Sequence, residues 1–272
     1  MTQAQKIIKY FAIAFAALLI VGILSGIYRG GAAIIALFEG EEQEYIGQMR
    51  EVELDHDELP SNLSIDIGAS ELIIKAGDSL RLETNNNRME YRISKGTLKI
   101  NEKIRGKGDQ RSIITLTLPA DMILREADID TGAGRILIES LSTNELSLDL
   151  SAGEAVIENL TVSGDAEING GAGRLEIKSS EIGHIDLDHG IGELIITSLI
   201  KNGGELDCGV GSVVLSLIGS ESDYSLNVEK GIGSIEIDGR NAENGRTYGT
   251  GPSRIEISGG VGSVEVDFDA KP

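Results

Sequence analysis

The chain has a single cysteine, Cys208, no tryptophan, four prolines, six tyrosines and four phenylalanines in 272 residues. A lone thiol excludes an internal disulfide framework. Without tryptophan, and with several of its few rings near the amino terminus, the chain lacks the aromatic platforms that sugar-processing sites usually present. Positive charge is scarce too. Lys and Arg number 24 against 44 Asp and Glu, a formal charge of −20. Three of those basic residues and no acidic ones lie in residues 1–38, which leaves 21 against 44, or −23, for the remainder. Such a surface repels polyanions, so nucleic acid is not an expected partner. Helical periodicity is missing beyond the amino-terminal segment, where most of the chain's 35 glycines lie and oppose helix.

What is present is a repeat. A cassette of the form apolar-x-apolar-acid-x-Gly-x-Gly-x-apolar-x-apolar returns every 19 or 20 residues through the second half. Its copies centre on Gly132-Ala133-Gly134, Ser151-Ala152-Gly153, Gly171-Ala172-Gly173, Gly190-Ile191-Gly192 and Gly209-Val210-Gly211. Two more follow at wider spacing, at Gly231-Ile232-Gly233 and Gly260-Val261-Gly262. The apolar positions on each side alternate with period two, which is the strand period. Their parity changes across the glycine pair, so the strand must bend or bulge there, as glycine permits. A fixed period of this length means one unit stacked on copies of itself. The expected fold is therefore all-β: a β-solenoid (a single-stranded β-helix) of coils about 19–20 residues long.

The amino-terminal part reads differently. Ile7–Tyr28 carries a single charge, Lys9 near its start, and, at about 1.5 Å per residue, spans roughly 33 Å as a helix, enough to cross a bilayer. A cleaved signal peptide is the rival, but the Ala-x-Ala patterns at Ala12–Ala16 lie inside the apolar run rather than after it. Lys6 and Lys9 flank the start of the run, which favours an inside amino terminus and an extracytoplasmic β-domain at the cell membrane. The expected organisation is a membrane anchor over 1–38 with its transmembrane helix at about 7–28, an acidic linker over 39–58, and a β-domain over 59–268. Within the last, 59–128 is an irregular cap and 129–268 holds the regular coils. Leu63–Gly68 and Leu72–Ile74 resemble a cassette whose second glycine has become Ser70.

Chemical motifs are few. The repeated Gly-x-Gly is not a dinucleotide fingerprint, because the third required glycine is replaced by Leu137, Val156, Glu176 and Ile195 and no helix pattern follows. No nucleotide and no cofactor is expected. Two residues before the first cassette glycine stand Asp66, Asp130, Asp149, Asn169, Asp188, Asp207, Glu229 and Ser258. Four before it stand Asp128, Glu167, Asp186, Glu205 and Glu256. Stacked carboxylates about 5 Å apart repel, and calcium would relieve that. A solvated acidic face that keeps a long β-surface from associating explains the same residues without metal. His189 and Cys208 occupy equivalent positions in successive coils, so a thiol–imidazole pair is possible; no third ligand or orienting group accompanies them, and space filling at the corner explains them as well. His184 flanks Asp186, while His56 lies in an acidic run. No catalytic, cofactor or metal residue is assigned.

The order of elements resembles a known family. An amino-terminal apolar segment is followed by Gly96-Thr97-Leu98-Lys99-Ile100, by Ile114-Thr115-Leu116-Thr117-Leu118-Pro119, and by Ala127-Asp128-Ile129-Asp130-Thr131-Gly132-Ala133-Gly134-Arg135-Ile136. With the repeated Gly-x-Gly units this is similar to the bacterial putative-adhesin family of β-strand-repeat proteins, over roughly residues 50–268. The resemblance implies a β-solenoid, often tethered to a bacterial membrane and sometimes tied to envelope stress, and it supplies no catalytic residues. The expected function is a membrane-anchored, non-catalytic surface for adhesion, interaction or envelope sensing. Its partners would be the bilayer and a protein or envelope polymer. A hydrolase or lyase acting on polysaccharide, or a plain structural spacer, are the alternatives.

Overall fold

The computed structural model describes residues 46–54, 59–102 and 112–270, all within one compact unit. The expected transmembrane helix over 7–28, His56 and much of the 39–58 segment lie outside the described residues. Among the described residues no helix is long and apolar enough to cross a membrane. The unit is all-β. Its strands are β1 (Ile46–Val52), β2 (Asn62–Ile67), β3 (Glu71–Gly77), β4 (Arg81–Asn86), β5 (Glu90–Ser94), β6 (Thr97–Asn101), β7 (Ile113–Pro119), β8 (Leu124–Ile138) and β9 (Leu141–Glu158). They continue as β10 (Leu160–Asn169), β11 (Ala172–Ile200), β12 (Gly204–Ile218), β13 (Tyr224–Glu229), β14 (Ile232–Ile237), β15 (Arg240–Asn241), β16 (Thr247–Gly249) and β17 (Ser253–Ala270).

Each rung of the solenoid is a strand that bends at its glycine pair and pairs in parallel with the rungs on either side. The register repeats the cassette: Asp130 faces Asp149, Asn169 faces both Asp149 and Asp188, and Asp188 faces Asp207. Apolar residues stack in columns along the interior. One column runs Ile65, Ile129, Leu148, Ile168, Leu187, Leu206, Ile257, Val228, and no member is more than 1% exposed. At about 1.5–3 kcal/mol per buried aliphatic side chain, these columns are the dominant favourable term.

Space order and chain order part at both ends. The carboxy-terminal strand β17 pairs with β12 on one side and with β13 and β14 on the other. The last strand of the chain is therefore an interior rung, and the earlier β13–β14 rung lies outside it. The other end mirrors this arrangement. β2 and β3 lie between β8 on one side and β6 with β7 on the other. The sequence reading ran the acidic column through Glu229 before Ser258; in the structure Ser258 intervenes between Asp207 and Glu229. The cause is the hairpin segment at 240–249, which carries the chain outward and lets it return beneath itself. The first and last rungs thus have hydrogen-bond partners on both faces, whereas chain termini ordinarily fray.

Antiparallel strands close the two ends. β4 pairs antiparallel with β7 and with β1, and β5 with β6. β16 covers β13, and β15 pairs with the end of β14. These strands occupy edges that would otherwise template further parallel pairing. Charge density places 46–52 in the linker, yet these residues form β1. Among its described side chains only Val52 is buried, so it carries too little apolar alternation to read as a strand.

Candidate functional site

Two outward surfaces flank the glycine corner, and they differ in how charge is arranged. On the side preceding the corner, alternate residues of each rung form two acidic columns. One runs Asp66, Asp130, Asp149, then Asn169, then Asp188 and Asp207. Asn169 divides it, and its Nδ2 donates to Asp149 Oδ1 at 2.6 Å. The second column carries Glu167, Asp186, Glu205 and Glu256 on four successive rungs. With Asp188 and Asp207 two residues along, six carboxylates cover four rungs, at about 4.8 Å per rung. His184 faces Asp165 in the neighbouring rung at the margin of this patch. Among the described residues no group of three or more His, Cys, Asp and Glu is arranged to hold a metal ion. The four aspartates Asp130, Asp149, Asp188 and Asp207 thus form a flat row and not a cage.

Crowding of like charges perturbs the other acidic cluster. Burial, followed by Glu126, Asp149 and Asp66, pushes the Asp128 carboxyl above its ordinary value of 3.8. Asp130 is raised by burial and then by Asp66, Asp149 and Asp128. A raised pKa means the folded state holds the proton more tightly than the unfolded chain, so these groups lower stability as pH rises through the range just above 3.8. The double variant Asp128→Asn/Asp130→Asn is expected to melt higher than wild type at neutral pH. That gain should shrink as pH falls and vanish by about pH 3, where both carboxyls are protonated folded or unfolded. Melting curves taken across that range check it; a gain independent of pH would exclude the charge explanation.

Beyond the corner the charges alternate in sign instead. Glu71, Arg135, Glu154 and Arg174 are successive partners along the stack. Arg135 Nε lies 3.3 Å from Glu154, and Arg174 pairs with Glu193 on the next rung. Arg174 also reaches Glu176 at 3.0 Å, and Lys178 reaches the same carboxylate at 3.1 Å. Burial alone would raise Glu176, but hydrogen bonds from Arg174 and Lys178 hold it below the usual glutamate value. Sequence reasoning missed this column. Its signal was the residue immediately after each second glycine: Arg135, Glu154, Arg174, Glu193. The second face is therefore neutralised over the rungs from Arg135 to Glu193, whereas the first presents unrelieved negative charge.

The corner itself is bare. Seven second glycines, Gly134, Gly153, Gly173, Gly192, Gly211, Gly262 and Gly233, stack so that a Cβ on each would strike the carbonyl of its neighbour. Between the glycine pairs project Ala133, Ala152 and Ala172 on the earlier rungs, then Ile191, Val210, Val261 and Ile232. Ile232 is 77% exposed on the outermost rung. Just inside the corner, His189 and Cys208 are register partners and both are buried, as their cassette positions implied. Burial lowers the imidazole pKa, with the Gly192 backbone opposing weakly, and pushes the Cys208 thiol up to about 11. A neutral thiol of that kind is a poor nucleophile. Neither His189 nitrogen has a partner in hydrogen-bonding geometry, which costs about 1–3 kcal/mol for each orphaned group.

A repeat β-solenoid with one acidic face and a glycine-lined corner defines the class of molecule. The chain belongs to the Toastrack DUF4097 family, whose model matches residues 61–244. Among solved structures it is similar to a putative cell adhesion protein from Clostridium sporogenes, at 15% identity and a TM-score of 0.33, covering 81% of this chain and 99% of that one. It is also similar to a putative adhesin from Bacteroides fragilis, at 13% identity and a TM-score of 0.36, covering 80% and 96%. A putative lipid binding protein from Parabacteroides distasonis matches at 13% identity and a TM-score of 0.29, covering 82% and 94%. Scores this low transfer no function. No curated protein matches.

Proposed function

We propose that the protein is a membrane-tethered, non-catalytic binding surface, displayed outside the cytoplasmic membrane and engaging an extended, positively charged envelope partner along its acidic face. The observation that carries this reading is the contrast between the two faces. On the second face Glu154, Glu176 and Glu193 are matched by Arg135, Arg174 and Lys178, while Glu167, Asp186, Asp188, Glu205, Asp207 and Glu256 stand in uncompensated rows. Charge arranged at a rung spacing of about 4.8 Å suits a partner that is itself extended and repetitive. The apolar run Ile7–Tyr28 supports the tether, and its flanking lysines support the orientation. Family membership supports the adhesin-like role.

The experiment has two arms. Protease added to intact cells should remove the β-domain while a cytoplasmic marker survives; a domain protected until lysis sinks the display. Full-length protein in nanodiscs should capture basic envelope protein or polymer, more weakly as salt is raised. Asp186→Asn, Asp188→Asn, Glu205→Gln and Asp207→Asn combined should reduce capture at least about tenfold, equivalent to roughly 1.4 kcal/mol. Undiminished capture by that variant would show that the acidic face is not the binding surface.

A further inference from the structure

His189 and Cys208 are partners on adjacent parallel strands and both side chains point inward, His189 being 3% and Cys208 8% exposed. The space around the pair is kept open by glycines. A Cβ on Gly170 would come within 2.9 Å of His189 Nδ1, and the partner of Cys208 on its other side is Gly259. Both imidazole nitrogens are buried without a hydrogen-bond partner. The thiol has only a weak contact, with Sγ 4.0 Å from Leu206 O. Both residues line the same shallow depression at the corner, whose remaining wall includes Gly209, Gly211, Gly260 and Gly262. Val210, Val213, Val261 and Lys230 complete the wall. An imidazole without a well-formed hydrogen bond, the chain's sole thiol one rung away, and a depression that both line form a pair of donors without an acceptor.

We propose that His189 and Cys208 are the two ligands of a site for a soft monovalent cation of the copper(I) class, held by one imidazole nitrogen and Sγ. Metal bonds of about 2.0 Å to nitrogen and about 2.3 Å to sulfur span roughly 4.3 Å when collinear. Side chains on neighbouring strands start about 4.8 Å apart, so the pair can close on an ion without moving the backbone. Two donors do not satisfy zinc, which takes four, or calcium, which takes six to eight oxygens. Thiolate with imidazole is a donor set that favours copper(I), an ion content with two ligands. As the metal–sulfur bond forms, the thiol proton passes to solvent, and no electron is transferred.

Full-length protein in detergent, titrated with copper(I) under anaerobic conditions against a chromogenic chelator, should take up one ion per chain. The X-ray absorption spectrum should contain one sulfur and one nitrogen neighbour. Silver(I) should compete, and zinc and calcium should not. His189→Leu and Cys208→Ala, which keep the interior apolar, should each weaken uptake at least tenfold with the far-ultraviolet dichroism unchanged. No uptake by wild type, uptake undiminished in both variants, or a spectrum holding sulfur without nitrogen would overturn the proposal. Because the wild-type spectrum alone can decide, the test survives a variant that fails to fold. Capture by the acidic face is a separate property and is expected to be unchanged in Cys208→Ala.

Discussion

Gly211→Ala should abolish folding or cost more than about 4 kcal/mol, although it adds a single methyl group. Gly211 has φ +145°, and an added Cβ would lie 1.8 Å from the carbonyl oxygen of Gly192 and 2.8 Å from its carbon. The obstacle is backbone, so no rotamer change relieves it. The neighbouring rungs would have to part at the corner, breaking ladder hydrogen bonds there and opening the columns of aliphatic side chains on either side. The control is Gly245→Ala. Gly245 also has a positive φ, +72°, but a Cβ there meets nothing within 4 Å, so only the intrinsic left-handed penalty of about 1–2 kcal/mol applies. Urea denaturation followed by circular dichroism separates the two variants. Equal losses would mean that glycine is needed at the corner for its backbone angle alone and that rung-to-rung crowding is irrelevant.

The same crowding explains the one cassette that lacks its second glycine. Each glycine of the column points its missing Cβ at the preceding rung in space, and for Gly134 that rung carries Ser70. Among the described residues, no strand partner faces Ser70 on its other side. Ser70 instead turns its hydroxyl to Glu102, whose other oxygen accepts from Asn86 Nδ2 at 2.7 Å. A polar cluster thus stands where the other rungs bring two glycines together.

How much of this was legible follows from which interactions are local. The rung, its register and its inward columns were readable, because a 19- or 20-residue period fixes what stacks on what, as Asp188 on Asp207 and His189 on Cys208 attest. The order of rungs was not readable at the ends. Whether Val228 follows Leu206 directly or only after Ile257 depends on where the 240–249 hairpin throws the chain, and every cassette is chemically interchangeable with its neighbours. The acidic face was visible as a column of Asp and Glu. The neutralised face was not, since Arg135, Glu154, Arg174 and Glu193 become a ladder only when one position is followed across rungs instead of along the chain.

Tyr224→Ala should destabilise the carboxy-terminal rungs by about 3–5 kcal/mol, and Tyr224→Phe by about 1–2 kcal/mol. The chain leaves β12 at Ile218, makes a short 3-10 turn at Glu221–Asp223, and must rise past one vacant rung before β13 begins. That is about twice the usual step of 4.8 Å. Tyr224 secures the step from both directions. It is fully buried, its hydroxyl donates to Ile218 O at 2.6 Å, and its ring lies 6.0 Å from that of Phe268 in β17. Tyr224 also faces Ser253, whose hydroxyl donates at 2.7 Å to Ile200 O in β11. The alanine variant removes the ring that β17 packs against, whereas the phenylalanine variant removes only the hydroxyl and its hydrogen bond to the Ile218 carbonyl. Because β17 fills the gap that β13 leaves, the two cannot open independently. Native-state hydrogen exchange on Tyr224→Ala should show β13, β14 and β17 losing protection as one unit while β8 to β11 keep theirs. Protection lost from β13 and β14 alone, with β17 still guarded, would mean that the returning strand holds to β12 without its clasp.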